Sequence, residues 1–152
     1  MPRIIFSNFI LIMLWGIFYL NPVMAESSEK YAAMAQSTWS AFECSVLAEK
    51  IKNVEEQERL FRFGYEKGLN YITALQSGKI AKEDLSNEVP PIMLLLQGPT
   101  PDFMLGRIFE NAVESALENI PQRGEHPGSD ELQKIIAGIE YRKRKCQLIG
   151  KQ

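Results

Sequence analysis

The sequence predicts an all-α protein, a small bundle of four long helices and one or two short ones whose first and last helices are tied by a disulfide. Apolar residues recur at intervals of three and four along four separate segments, which is the period of an amphipathic helix. Residues that favour helix caps stand at the start of each segment. β-Branched residues are sparse and nowhere alternate with polar ones, so a sheet has little to build from.

The N-terminal segment has the features of a signal peptide. One basic residue, Arg3, precedes an apolar run that is broken at Pro22. Val23-Met24-Ala25 then supplies the compact side chains that signal peptidase accepts before a cut. We therefore expect residues 1–25 to be removed, leaving residues 26–152 as a single helical domain in the periplasm or outside the cell. The alternative is an uncleaved membrane anchor, because the apolar run has the minimum length for a bilayer span.

The composition of the mature chain excludes some classes of partner. Residues 26–152 contain 16 Lys and Arg and 19 Asp and Glu, which gives a net charge of −3. This balance excludes a polybasic nucleic-acid binder and provides no general attraction to anionic lipid. We expect no nucleic-acid partner and no stable membrane insertion after processing. A chain of this length can bury one modest core.

Cys44 and Cys146 are the only cysteines. In an exported chain, an oxidising compartment favours a bond between them. In the chain-entropy model, closing a loop of about a hundred residues stabilises the fold by roughly 4–5 kcal/mol. A redox couple and a zinc site are the alternatives, but there is no C-x-x-C motif and no recognisable set of zinc ligands. The sequence therefore favours a structural disulfide.

The first two long helices follow each other closely. Ser27 or Ser28 caps the first, which runs to about Lys52, and Asn53 begins the second, which ends before Gly78. The apolar stripe of the first helix is Tyr31, Ala35, Trp39, Phe42 and Val46, and that of the second is Leu60, Phe61, Tyr65, Leu69, Ile72 and Leu75.

Two glycines, Gly64 and Gly68, remove side chains from one face of the second helix. In a membrane this spacing marks a dimer seam, but the charged residues of this helix exclude a spanning segment. We interpret it as a close approach by a neighbouring helix. A conformational hinge is the alternative.

The stretch from Lys79 to Pro101 combines short helices with a rigid turn. A single helical turn is expected around residues 81–85, and Pro90-Pro91 begins a short buried helix over residues 92–97. Five consecutive apolar side chains at 92–96 cannot all face one side, so the segment is either buried all round or partly presented to a partner. The turn at residues 98–101 would lose little entropy on binding. The predicted partner-binding residues are Ile92, Met93, Leu95, Pro99 and Pro101.

The last two long helices have clear boundaries. Thr100 caps one that begins at Pro101 and ends before Pro121. A loop follows, and Ser129 caps the last helix. Cys146 lies two turns after Ile139, so we expect it on the apolar face and bonded across to the first helix. That predicted face consists of Leu132, Ile135, Ile136 and Ile139.

Three groups of polar residues are candidates for chemistry. His126, the only histidine, lies in the predicted loop and is either a general base or pH sensor, or a solvated side chain. Glu110, Glu114 and Glu118 are four apart on one helical face, and we expect that face to be solvated or to meet a cationic partner. The basic run 142–145 covers the whole circumference of a helix, which favours a solvated helix end over an anion-binding stripe.

The functional prediction is binding of another protein. No nucleophile–base pair, metal cluster, phosphate loop or haem-attachment motif is recognisable, and no cofactor is expected. The format of a signal peptide, a small helical domain and two distant cysteines resembles that of periplasmic inhibitor and immunity proteins. The resemblance does not assign a role to any individual residue. The expected partner is a protein, and a homodimer is compatible with the sequence. The alternatives are a small exported enzyme such as a cell-wall hydrolase, or a small-ligand carrier whose cavity the aromatic-rich first two helices would line.

The first testable prediction concerns processing. The protein recovered from the periplasm or medium of an expressing cell should begin at Glu26, because the cleavage pattern ends at Ala25. Intact mass spectrometry measures this directly. A full-length chain retained in the membrane fraction would show that the segment is an anchor instead.

Overall fold

The computed structural model describes residues 27–121 and 129–151. Of these residues 78% are helical and none lies in a strand, which confirms the predicted all-α bundle of four long and two short helices. The predicted signal peptide and the loop with His126 lie outside the described residues. In the described ranges no helix is long and apolar enough to cross a membrane. The helices are α1 (Ser28–Lys50), α2 (Val54–Gln76), α3 (Lys82–Glu88), α4 (Pro91–Leu94), α5 (Pro101–Leu117) and α6 (Ser129–Lys143), and a 3-10 turn follows at Cys146–Leu148.

Side-chain caps fix the starts of three long helices as predicted. The Ser27 hydroxyl accepts a hydrogen bond from the Lys30 amide at the start of α1. Asn53 and Thr100 accept the equivalent bonds at the starts of α2 and α5. Each cap satisfies one of the backbone donors that a helix leaves unpaired at its first turn. Local sequence therefore sets where these helices begin.

Helix α1 lies at the centre of the bundle. It contacts α2, α3, α5, α6 and the 3-10 turn. Every residue from 41 to 48 is buried, so the predicted single stripe is wrong for the second half of this helix. Small side chains such as Ala41, Ser45 and Ala48 lie between the larger ones and let neighbours approach from all sides. A helix surrounded in this way is buried on every face.

Helix α2 crosses α1 closely at the two glycines, which confirms the close-approach interpretation. A methyl group on Gly64 would lie 2.9 Å from the Phe42 ring and 3.1 Å from the Ala41 Cβ. On Gly68 it would lie 2.5 Å from a terminal carbon of Leu105. These three distances are shorter than ordinary van der Waals contact, so only glycine fits at these two positions without displacing its neighbours.

The predicted disulfide is present, but its chain path differs from the prediction. Cys44 and Cys146 are bonded, with Cα atoms 5.5 Å apart, and both are buried. Helix α6 ends at Lys143, and Lys145 adopts a left-handed conformation with φ of 54°. Cys146 therefore reaches α1 from the 3-10 turn and does not continue a face of α6.

The buried face of α6 is also not the predicted one. Leu132, Ile135 and Ile139 are 47, 53 and 49% exposed, whereas Ala137 and Tyr141 are buried. Ile136 is half-buried. The helix is rotated so that tyrosine and alanine face the core and the aliphatic residues face outward.

Two glycine substitutions should have opposite effects on stability. Gly64→Ala should lower the free energy of unfolding by about 1–3 kcal/mol, because the added methyl group meets Phe42 and Ala41. Gly106→Ala is the matched control, since nothing lies within 4 Å of its Cβ position on α5. It should raise the free energy of unfolding by about 0.5–1 kcal/mol through helix propensity. Urea unfolding followed by circular dichroism measures both, and equal effects would contradict the close crossing.

Candidate partner-binding surface

The structure separates the predicted partner-binding residues into buried and accessible ones. Met93 is fully buried, and the Tyr71 hydroxyl donates a 3.4 Å hydrogen bond to its carbonyl oxygen. Burial raises the pKa of Tyr71 to about 12, so the phenol stays protonated as the donor. Met93 is therefore a core residue and not a partner contact, because it is the side chain that anchors α4 to the bundle. Ile92 is half-buried beside it.

The short helix also ends earlier than predicted. Helix α4 stops at Leu94, three residues before the predicted end, and the Leu95 amide donates to the Ile92 carbonyl. A hydrogen bond to the carbonyl three residues earlier is the 3-10 pattern, which is common at the ends of α-helices. Residues 95–97 are consequently not helical, and the Leu95 side chain is largely exposed.

Four apolar residues around the turn before α5 are accessible, and we call them the α4–α5 surface. Leu95 is 66% exposed and Leu94 and Phe103 are about half exposed. Pro99 is exposed, and Pro101 is half-buried at the first position of α5. Phe103 is not among the residues predicted from the sequence to bind a partner. The missing signal is Gly98, because the Phe103 ring lies where a side chain at position 98 would be. The α4–α5 surface consists of Leu94, Leu95, Pro99 and Phe103.

A small pocket of about 220 Å³ opens beside Leu95. The Arg107 guanidinium donates a 3.2 Å hydrogen bond to the Gln97 carbonyl. This bond holds residues 95–97 against α5. The volume is below the range of pockets that enclose a whole small molecule, so it suits one inserted side chain. Its lining residues are Ile92, Leu95, Leu96, Gln97, Met104, Arg107, Ile108 and Asn111.

The part of the chain around this surface is acidic. Residues 79–118 carry seven acidic and three basic side chains, whereas residues 129–151 carry three acidic and six basic ones. Asp102 lies at the start of α5 and accepts a hydrogen bond from the Tyr65 hydroxyl, which raises the pKa of Tyr65. The predicted row of glutamates, Glu110, Glu114 and Glu118, is exposed on α5 as expected for a solvated face. A partner with basic side chains would therefore be favoured at the α4–α5 surface.

One charged cluster ties α2 to the C-terminal end of the chain. The Glu56 carboxylate accepts hydrogen bonds from Arg59 at 2.8 and 2.9 Å, from Tyr141 at 2.7 Å and from Lys151 at 3.0 Å. The hydrogen bond from Arg59 is the main reason that the pKa of Glu56 falls to about 2. Burial and the bond to Glu56 raise the pKa of Tyr141 to about 12. Arg59 also donates to the Ile149 carbonyl at 2.5 Å.

A second charged cluster joins α1, α5 and α6. Glu43 is buried in α1, and its carboxylate lies 2.6 Å from an Arg144 guanidinium nitrogen. The Ser115 hydroxyl donates to the same carboxylate at 2.7 Å. Arg144 belongs to the basic run, so the expectation of a wholly solvated run is wrong at this residue. A buried carboxylate needs such a partner, and Arg144 provides it from the other end of the chain.

The described residues show no other constellation that points to chemistry. Within residues 27–121 and 129–151 no group of three or more His, Cys, Asp or Glu side chains is placed to hold a metal ion. The aromatic side chains that would line a carrier cavity pack on each other instead. Ring centroids of Phe42 lie 5.7 Å from Phe61 and 5.3 Å from Phe109. These rings fill the space between α1, α2 and α5.

Comparison with known proteins adds no functional information. No protein-family model, curated protein sequence or solved structure matches this chain.

The Glu56 cluster should make stability depend on pH. The pKa of Glu56 falls from 4.5 to about 2 on folding. The contribution of this carboxylate to the free energy of unfolding is therefore complete above pH 4.5 and is lost as the pH falls towards 2. Glu56→Gln should therefore lower the free energy of unfolding at pH 7 by about 1–3 kcal/mol, with the difference disappearing near pH 2. Glu58→Gln is the control, since its pair with Arg62 is exposed on both sides. Urea unfolding of both variants between pH 7 and 2 provides the test, and a difference that persists at pH 2 would contradict the charged role.

Proposed function

We propose that the protein is exported and acts by binding another protein through the α4–α5 surface. The observation that carries the proposal is the presence of three exposed large apolar side chains, Leu94, Leu95 and Phe103, beside a pocket that suits one side chain. Small monomeric proteins rarely leave such groups together on the surface without a use for them.

The rigidity of the turn supports binding. Thr100 caps α5 and Arg107 holds the Gln97 carbonyl, so both ends of the segment between α4 and α5 are fixed. Pro99 and Pro101 restrict the backbone between these two anchors. A surface that is already ordered loses little conformational entropy when a partner docks.

The charge distribution supports a particular kind of partner. The α4–α5 surface lies in a part of the chain with seven acidic and three basic side chains. The complementary partner presents an apolar side chain for the pocket and basic residues around it. Inhibition of, or immunity to, such a partner in the periplasm is the role that fits the format of the chain.

The disulfide supports the exported location. The Cys44–Cys146 bond is buried and intact, and such bonds persist in oxidising compartments. It agrees with the predicted signal peptide, which lies outside the described residues. Together they favour the periplasm or the extracellular space over the cytoplasm.

Partner capture with matched variants tests the proposal. The exported protein, immobilised and exposed to periplasmic extract, should retain a protein that the double variant Leu95→Ser, Phe103→Ser loses by at least tenfold. Val54→Ser is the control, because Val54 is 70% exposed on α2 and outside the surface. Retention should fall with added salt, since basic residues of the partner face acidic residues here.

Two outcomes would contradict the proposal. Equal retention by the double variant and the control would place binding elsewhere on the molecule. Turnover of peptidoglycan by the purified protein, with no partner retained, would favour the cell-wall hydrolase alternative. Quantitative mass spectrometry and a dye-release assay measure the two outcomes.

A further inference from the structure

We propose that the outward side of α6 is the contact between two copies of this chain, which pair antiparallel about a two-fold axis. We define the α6 outer face as Glu131, Leu132, Ile135, Ile139 and Arg142. This inference is independent of the α4–α5 surface, which belongs to other helices.

Among residues 27–121 and 129–151, the apolar part of the α6 outer face does not belong to either core cluster. Leu132, Ile135 and Ile139 follow one another at steps of three and four, so they form one stripe along the helix. Each is about half exposed. The opposite side of α6 is occupied by Ala137 and Tyr141, which are buried against the bundle. The stripe therefore points away from the core.

The charges at the two ends of the stripe make the α6 outer face complementary to itself. Glu131 lies in the first turn of α6 and Arg142 in the last. When two such helices run antiparallel, the Glu131 end of each meets the Arg142 end of the other, and Leu132 lies opposite Ile139. A parallel pair would bring like charges together and is disfavoured. The antiparallel arrangement also aligns the helix dipoles favourably, and a two-fold axis closes it as a dimer.

A glycine beside the stripe gives room for close approach. Gly138 is half-buried, and a methyl group there would have only Arg142 and Ile51 atoms near it, at 3.6 and 3.7 Å. The missing side chain lets the backbone of a second helix approach more closely here than it could at a larger residue.

The same features disfavour a lipid bilayer as the occupant. The stripe contains three aliphatic residues and no aromatic one, and Glu131 lies at its N-terminal end. Interfacial helices are typically broader on the apolar side and carry Trp or Phe with basic residues. A second copy satisfies both Glu131 and Arg142, whereas an anionic membrane satisfies only Arg142.

The interaction is weak, because one stripe buries much less than the roughly 800 Å² per partner of a standard interface. We expect a dissociation constant of the order of 100 µM. Sedimentation velocity of the exported protein from 10 µM to 1 mM should show a monomer–dimer equilibrium. Ile135→Gln should weaken it at least tenfold with an unchanged melting temperature, since Ile135 is 53% exposed. Val54→Gln is the control for loss of an exposed apolar side chain and should leave the equilibrium unchanged.

Charge reversal tests the antiparallel geometry. Glu131→Lys places two basic residues at each contact of its own dimer, and Arg142→Glu places two acidic ones. Each variant alone should dimerise at least tenfold more weakly than the native protein. An equimolar mixture of the two should recover dimers, because each contact then joins one acidic and one basic side chain. Lys82→Glu on the exposed part of α3 is the control for net charge and should have no effect.

Three results would overturn the proposal. One is a protein that stays monomeric at 1 mM. Another is a dimer that survives Ile135→Gln, or that the mixed charge variants do not recover. The third is a monomer that co-sediments with phosphatidylglycerol vesicles in an Ile135-dependent way, which would assign the α6 outer face to a membrane.

Discussion

The burial of α1 on every side is the constraint on which the rest of the structure depends. Residues 41–48 are all buried, so other parts of the chain must pack on each face of this segment. Phe42, Val46 and Leu47 each contribute roughly 1.5–3 kcal/mol when removed from water. The glycines of α2 bring one neighbour close, α5 covers a second face and α6 a third. Cys44 lies within the same segment, so the disulfide fixes the end of the chain to the best-covered part of the bundle.

Polar contacts stabilise the rotation in which α6 packs against the rest of the bundle. Glu43 and Glu56 are both removed from bulk solvent, and an unpaired buried carboxylate is costly. Their partners, Arg144 and Tyr141, lie within one turn of each other at the end of α6. Both contacts are made in the rotation that α6 adopts. That rotation directs the aliphatic stripe outward, against the preference that hydrophobicity alone would set.

Features that depend on residues close together in the chain were predictable from the sequence. Helix starts at Ser27, Asn53 and Thr100 were predictable, because a cap is a contact within four residues. The disulfide was predictable because only two cysteines exist. The close helix approach was predictable because glycine spacing on one helix already leaves the space that a neighbour needs.

The errors concern positions whose environment is set by residues far along the chain. Periodicity assigned Ile139 to the core of α6, but the carboxylate of Glu56 is about eighty positions away and cannot be seen in a local pattern. Met93 is predicted at a surface but is buried, because a five-residue apolar run does not by itself indicate which side chains face the core. The position of the candidate surface along the chain is a prediction from the sequence, while the exposure of each side chain there required the structure.

The charge distribution bears on whether self-association of this molecule stops at a dimer or continues into larger assemblies. The acidic range, residues 79–118, and the basic range, residues 129–151, are opposite in net charge, so contact between them on different copies would be electrostatically favourable. A contact between two different patches is heterologous, and unless its rotation closes a ring it propagates into a chain of molecules. Pairing through α6 uses the same patch on both copies and stops at two. It also consumes part of the basic surface and leaves the α4–α5 surface of each copy free, so a dimer of this kind would present two equivalent partner sites on one particle.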